Sequence, residues 1–333
     1  MTEAKRPILA QVDWAPLILI AALALGALPF VGSLSTWVTL TVAGLAMGMM
    51  IFVMSSGLTL VFGLMDVINF GHGVFISIGA YVALLVLVPL AAWGTADSLG
   101  LNLGVIGLAA VAAMTATGAL GYFFERVVIR PVYGQHLKQI LITTGGLIVA
   151  EQLIHALWGA NPIPVRLPET LRGSFVIGDA AVERFRVFAI LLGLAVFAGM
   201  HLGLNRTRIG LLIRAGVENT EMVEALGYDI RKIFVGVFVA GSALAGLGGV
   251  LWALYRQILV ASMGMEMMVL IFIAIIIGGL GSVGGCFAGS ILLALLANYS
   301  GFLVPKLALV SNIVLMLAIL SWRPQGLYPV ARR

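Results

Sequence analysis

Charge is what this sequence of 333 residues has least of: 10% of it is Asp, Glu, Lys or Arg, against about a quarter in an ordinary soluble domain. With 61% hydrophobic residues and a mean hydropathy of +1.12, no water-soluble fold can hide the apolar surface, whereas a bilayer accepts it directly. A single cysteine, Cys286, excludes an intramolecular disulfide and a cysteine zinc cluster. Its expected place is a helix interface, where a thiol packs as a small apolar group. The four lysines, at 5, 138, 232 and 306, are followed by Arg, Gln, Ile and Leu. No phosphate loop ending in Gly-Lys-Ser/Thr is therefore present, and the chain has no nucleotide-hydrolysing motif of its own. No serine sits in a Gly-x-Ser-x-Gly setting, and no two histidines stand at zinc-binding spacing, so an intramembrane enzyme is disfavoured.

What is present are long apolar runs, near 14 to 31, 37 to 60, 74 to 93, 103 to 124, 139 to 158, 187 to 204, 233 to 255, 263 to 280, 284 to 304 and 307 to 322. These runs are continuous rather than alternating, which excludes barrel strands. The fold class is all-α and polytopic, with about ten (8–10) membrane helices, some broken or re-entrant, in one membrane domain over 1–333. The first run follows Lys5 and Arg6 but lacks a small-residue cleavage site leading into polar sequence, so it is read as a retained span. Placing both termini in the cytoplasm puts Lys5, Arg6, Arg126, Arg130, Lys138, Arg206, Arg208, Arg214, Arg231, Lys232, Arg323, Arg332 and Arg333 inside, thirteen of the 19 basic residues. Topology thus accounts for the basic isoelectric point, and a nucleic-acid partner is not required. Segment 160–186 is expected outside, with a hairpin turning at Gly178 and Asp179; segment 205–232 is expected in the cytoplasm.

Polar groups inside the apolar runs are the candidates for function. "GLMDVINFGHG" carries Asp66, Asn69 and His72 at i, i+3 and i+6, so on a helix Asp66 and Asn69 would share a face. Gly63, Gly71 and Gly73 are expected to break that helix, and a break in the membrane needs protein or a wet cavity to satisfy its backbone. Asp66, Asn69 and His72 are the expected suppliers, with Asn69 nearest a solute path that Thr143 and Thr144 also line. Glu151, Gln152 and His155 fall within one run. They are read as a structural Glu–His pair, as part of the path, or as the ion site of an ion-coupled secondary carrier. "GLGSVG" (279–284) matches Gly-x-Gly-x-x-Gly in form only and is read as tight helix packing or a membrane turn.

In the charged loop, "NTEMVEALGY" reads as a short amphipathic helix. Asn219 or Thr220 would cap it, Glu221 and Glu224 suit its positive end, Met222, Val223, Ala225 and Leu226 form an apolar side, and Gly227 stops it. After it, Ala245 and Gly249 permit close helix packing.

Together these blocks resemble the inner-membrane permeases of branched-chain amino acid ABC importers, specifically the LivH-type subunit. The resemblance rests on "GLTLVFGLMDVINFGHGVFISIGAYVA", "RPVYGQHLKQILITTGGLIVAEQL", "IRAGVENTEMVEALGYDIRKIFVGVFVAGSALAGLGGVL", "IGGLGSVGGCFAGSILLALL" and "SWRPQGLY". It departs in "RPVYGQHLK", which lacks the second arginine of the family's turn. The resemblance implies a non-catalytic permease of the bacterial inner membrane, moving branched-chain or other hydrophobic amino acids. It also implies a homologous second permease, two ATP-binding subunits that use ATP and Mg, and a periplasmic solute-binding protein. Urea or short-chain amides are the alternative cargo. Residues 205–232 then become the ATPase-coupling loop, with Arg214, Ala215, Glu221, Glu224, Ala225, Leu226 and Gly227 as its contact positions.

Overall fold

The computed structural model describes residues 13–218 and 220–328. Lys5, Arg6, Asn219, Arg332 and Arg333, invoked above for topology and capping, lie outside them. The helices are α1 Ala15–Val31, α2 Leu34–Met65, α3 His72–Leu87, α4 Ala91–Thr95, α5 Leu99–Phe124, α6 His136–Trp158, α7 Arg184–Arg206, α8 Arg208–Glu218, α9 Thr220–Ala225, α10 Ile230–Arg256, α11 Met263–Gly278, α12 Val283–Leu303 and α13 Ala308–Trp322. Among the described residues, six helical segments are long and apolar enough to cross a membrane, and four apolar helices are shorter. All ten expected runs are helical, in an all-α polytopic membrane protein. Ser33, Ser98, Asp229 and Ser282 cap α2, α5, α10 and α12, each accepting a first-turn amide.

Hydrogen bonds between helix ends sort the loops into two groups. At one end, Arg323 pairs with Asp13 and also donates to the carbonyl of Leu327 at 3.1 Å, while the Tyr328 hydroxyl donates to the carbonyl of Asp13 at 2.9 Å. The same tail donates the amides of Leu327 and Tyr328 to the carbonyls of Ile277 and Gly278, both at 2.9 Å, closing the end of α11. Arg323 holds the Asp13 carboxyl below its usual range. The tie is therefore intact at neutral pH and is lost as acidification protonates Asp13. At the opposite end lie the hairpin β2 Ser174–Ile177 and β3 Ala180–Glu183, turning at Gly178 (φ 60°) as expected. Beside it, β1 Ile163–Pro164 pairs antiparallel with β4 Ile258–Leu259.

Helix α2 is the axis of the bundle, packed by α1, α7, α10, α11 and α12. Its 32 residues span about 48 Å at 1.5 Å per residue, well beyond a hydrocarbon core of about 30 Å. Helices α3 and α11, each of 16 residues, span about 24 Å and begin inside the bundle. His72, the first residue of α3, donates from Nε2 to the carbonyl of Met54 at 2.9 Å, eleven residues before α2 ends. Gly73 and Gly264, in the first turns of α3 and α11, abut backbone to backbone, and Ser77 Oγ accepts the Gly264 amide at 2.9 Å.

Glycines set how closely α10 approaches its neighbours. A Cβ on Gly57 would collide with the carbonyl of Gly241, one on Gly79 with the backbone of Gly246, and one on Gly249 with the carbonyl of Ile76. Ala245 is fully buried in the same face, as the small-residue pattern predicts. Cys286 is buried between α12 and α2, its Sγ 3.0 Å from Ser55 Oγ, as expected of a packing residue. "GLGSVG" is the turn from α11 to α12, with Gly279 and Gly281 at φ 102° and 83°. A dinucleotide fingerprint would have a strand before it, where this chain has a helix.

Because Gly249 faces backbone, Gly249→Ala should overpack the α10–α3 contact at a cost of about 1–3 kcal/mol. Gly107→Ala, where a Cβ meets nothing within 4 Å, should leave stability unchanged. Thermal unfolding in detergent checks the pair; equal midpoints would refute the backbone-contact account.

Candidate functional site

The break between α2 and α3 is real, but of the three glycines expected to make it only Gly71 lies in it. Helix α2 continues through Gly63 to Met65 and stops at Asp66, whose left-handed backbone (φ 51°) is a conformation that Asp tolerates better than most residues. Gly73 lies inside α3. Both glycines serve packing instead, Gly63 against Gly281 and Gly73 against Gly264. Residues 66–71 are non-helical, so Asp66, Asn69 and His72 share no helix face.

The backbone of the break is satisfied from α6. Gln139 Oε1 accepts the amide of Ile68 at 3.3 Å, and Thr143 Oγ1 accepts that of Phe70 at 3.1 Å. Both side chains are fully buried, and Gln139 also donates to the carbonyl of Val132 at 3.1 Å. Gln139 and Thr143 therefore do the work expected of Asp66, Asn69 and His72. The sequence signal for Gln139 was present: it stands four residues before Thr143, on one face of an otherwise apolar helix.

The three residues of the opening motif separate into three environments. Asp66 is exposed, 3.8 Å from His136 in a pair that is open to solvent on both sides and so contributes little. His72 is buried and bonded to Met54. Asn69 is completely buried, yet neither Oδ1 nor Nδ2 has a protein partner. An unpaired buried amide costs about 1–3 kcal/mol for each group left unmade, so Asn69 marks a place where the fold carries a cost that packing alone does not explain. The Asn69 oxygen lies beside Gly71, the residue before α3, and the Phe124 ring packs against the same glycine.

Thr144 is only partly buried, in a different environment from Thr143. Glu151 and His155 approach to 4.0 Å one turn apart near the far end of α6, as a Glu–His pair. Neither is joined to the break by a recorded hydrogen bond. A group absent from the sequence reading is Glu125, in a π-helical turn (Glu125–Ile129) after α5. It is buried, one carboxylate oxygen accepting the Tyr133 hydroxyl at 2.7 Å and the other without a partner. Together with Gln139 and Val132, this turn links the end of α5 to the break.

The charged loop forms two helices where one was expected. Thr207 caps α8 by accepting the Gly210 amide at 3.1 Å, and Arg214 donates to Asn205 at 3.3 Å. Helix α9 ends as predicted at Gly227 (φ 89°): its amide bonds the carbonyl of Glu224 and that of Tyr228 bonds Val223, a Schellman pair. Of the expected apolar side only Val223 is buried; Met222 and Leu226 are 62% and 70% exposed, and Ile209, Leu211 and Tyr228 are exposed with them. Glu221, Glu224 and Ala225 are exposed and Ala215 is partly buried. Among the described residues, Ile209, Leu211 and Leu226 thus leave apolar side chains exposed on a loop that also exposes Arg206, Arg208 and Arg214.

Residues 40–320 match the family described as branched-chain amino acid transport system / permease component. The chain is 30% identical over 293 residues to the high-affinity branched-chain amino acid transport system permease protein BraD of Pseudomonas aeruginosa, covering 86% of this chain and 94% of BraD. It is 27% identical over 299 residues to the corresponding protein LivH of Escherichia coli, covering 85% and 92%. Similarity to the "Probable branched-chain amino acid transport permease protein LivM" of Methanocaldococcus jannaschii, 29% over 171 residues, covers 47% of this chain and 49% of LivM.

Removing the hydroxyl in Thr143→Val should leave the Phe70 amide unpaired and loosen the break, whereas Thr143→Ser should preserve it. Hydrogen exchange at Phe70 is the readout, with acceleration of about tenfold or more expected in the valine variant alone. Equal protection in all three proteins would sink the clamp.

Proposed function

The chain belongs to the branched-chain amino acid transport system permease family, and from that premise we propose that it is the LivH-type membrane subunit of an ABC importer. Its cargo is a branched-chain or similar hydrophobic amino acid, carried across the bacterial inner membrane. The observation that carries this beyond membership is the exposure of Ile209 and Leu211 on α8 and of Leu226 at the end of α9, in a chain whose sequence holds no phosphate loop. An ATP-binding subunit is the occupant assigned to these residues in this reading. Two of these, a second permease and a periplasmic binding protein complete the assembly; ATP and Mg belong to the ATPase partners. Near-complete coverage of BraD and LivH, against about half of LivM, favours the LivH type.

The Asp13 end of the bundle is assigned to the cytoplasm. Nine of the thirteen basic residues expected inside lie among the described residues, on the segments at that end, and the ten apolar helices then make ten crossings. In this reading ATPase closure presses on Arg214, Ala215, Glu221, Glu224, Ala225, Leu226 and Gly227. The push passes through the tight turn at Gly227 into α10, capped by Asp229, and from there to α2, α3 and α5. Asn69 is placed at the constriction of the path, its unpaired amide made available to solute when the break shifts. Thr143 holds backbone instead of solute, and Thr144 and Glu151 are secondary candidates on α6.

Gly227→Val forces a β-branched residue into a left-handed conformation, although a Cβ there meets nothing within 4 Å. A strain of about 1–3 kcal/mol at the end of α9 follows. ATP hydrolysis by the assembled importer should persist while solute uptake falls, and Gly227→Asn, which tolerates that backbone, should recover uptake. Wild-type uptake by the valine variant would overturn the coupling assignment.

Because the lone Cys286 is buried, introduced cysteines report sidedness on a silent background. Tyr228→Cys should react with an impermeant maleimide only in inside-out vesicles, and Val176→Cys only in right-side-out cells. The reverse pattern would invert the topology.

A further inference from the structure

Away from the break, a cavity of about 260 Å³ opens at the hairpin end of the bundle. Its walls are apolar, built from Leu84 and Leu87 at the end of α3, Val105 on α5, and Val165 and Leu167 in the segment after β1. Arg166 and Arg172 line the same cavity. Of the four arginines in segment 160–186, Arg172 pairs with Glu169 at 2.8 Å and Arg186 with Glu183 at 2.6 Å. Arg184 reaches the carbonyl of Thr170 at 3.4 Å and lies over the Phe175 ring. Arg166 has no carboxylate partner among the described residues, so an uncompensated guanidinium stands at the mouth of an apolar pocket.

We propose that this cavity is a low-affinity receiving site for the transported solute, taking the carboxylate of a small aliphatic amino acid on Arg166 and its branched side chain between α3 and α5. The proposal rests on the importer reading above. Each part of the solute has a counterpart. A guanidinium is the side chain best suited to a carboxylate, and the walls suit a short hydrocarbon group. The volume falls just below the range of drug-sized ligand pockets, about 300–1,000 Å³, which suits an amino acid and not a peptide. One charge-assisted contact and no enclosure make for weak binding, as a path that must release its cargo requires. An anionic lipid headgroup presents the same charge and is the competing source. The short loop between Pro164 and Arg172 meets α5 through Thr170, whose amide donates to the buried Asn102 Oδ1 at 2.8 Å, so the pocket wall is anchored and not improvised.

Saturation-transfer NMR on the permease in zwitterionic nanodiscs tests this with three probes: L-leucine, isovalerate, which keeps the carboxylate and the branched chain, and isoamylamine, which keeps only the chain. Leucine and isovalerate should bind and compete, and isoamylamine should not. Arg166→Gln should weaken leucine binding about tenfold or more, with Arg166→Lys partly restoring it and Arg184→Gln, which removes an arginine of the same segment that lies outside the cavity, leaving it unchanged. Gly94→Phe fills the cavity from a position where a Cβ meets nothing within 4 Å and should abolish binding. Leucine binding that survives both Arg166→Gln and Gly94→Phe overturns the proposal, as does loss of the signal on adding phosphatidylglycerol at levels that leave uptake intact. The assembled importer separates the two readings: a wild-type complex that does not import leucine defeats the importer reading, whereas wild-type import with an unchanged half-saturating leucine concentration in Arg166→Gln defeats only the receiving site.

Discussion

A peptide group in hydrocarbon has no water to bond, and the six residues between α2 and α3 are where this chain meets that constraint most sharply. Everything around the break is arranged to meet it. Gln139 and Thr143, one turn apart on α6, accept the amides of Ile68 and Phe70, and His72 anchors the start of α3 to a carbonyl of α2. Without those bonds α3 has no reason to begin inside the bundle instead of continuing α2. Helix α6 is otherwise among the least embedded of the long helices, its candidate span only 17% buried. Its attachment is thus polar, a few directed bonds, where the rest of the bundle is held by apolar packing.

That packing is of an unusual kind, since dispersion between helices in lipid rewards close approach more than apolar area. The chain obtains the approach by removing side chains: Gly57 against Gly241, Gly79 against Gly246 and Gly73 against Gly264 put backbone on backbone. Such contacts have steep walls. A helix seated this way moves as a body or not at all, and so α10, which packs on α2, α3 and α5 at once, can pass a displacement from its start to the break.

The sequence made the helices easy to find and the break harder to explain. Ten apolar runs, the hairpin at Gly178, the packing role of Cys286 and the stop at Gly227 all followed from composition, turn chemistry or spacing, because each depends on residues close in sequence. The break did not. Gly63 and Gly73 drew attention as helix breakers, yet a glycine in a membrane helix can equally mark a close neighbour, and only the positions of Gly281 and Gly264 decide between the two. Likewise the partners of Ile68 and Phe70 lie about 70 positions away, on a helix whose register against the break no local pattern records. Glu125 escaped notice for the same reason: beside Arg126 it looks like one more charge at a helix end, and its burial becomes visible only with Tyr133 folded over it. In the charged loop the pattern gave α9 its apolar residues but not their direction. Leu226 is turned away from the described residues, which is the opposite of what amphipathic folding onto its own bundle would produce.

That outward direction links the loop to the break. A helix of six residues makes too few internal hydrogen bonds to hold its shape in isolation; its Schellman end at Gly227 fixes it to α10, while the proposed ATP-binding partner would complete it. Force applied there enters α10 directly, because the turn at Gly227, Tyr228 and Asp229 is short and bonded at both ends. At the other end of the same chain of contacts stands Asn69, buried and unpaired. A conformation that leaves an amide without partners is raised in energy relative to one that supplies them, by an amount comparable to what a helix shift at an interface can deliver. On the proposed importer reading the two features belong to one device: a surface where force would enter, and an unpaired hydrogen-bonding group where a change of state would be favoured.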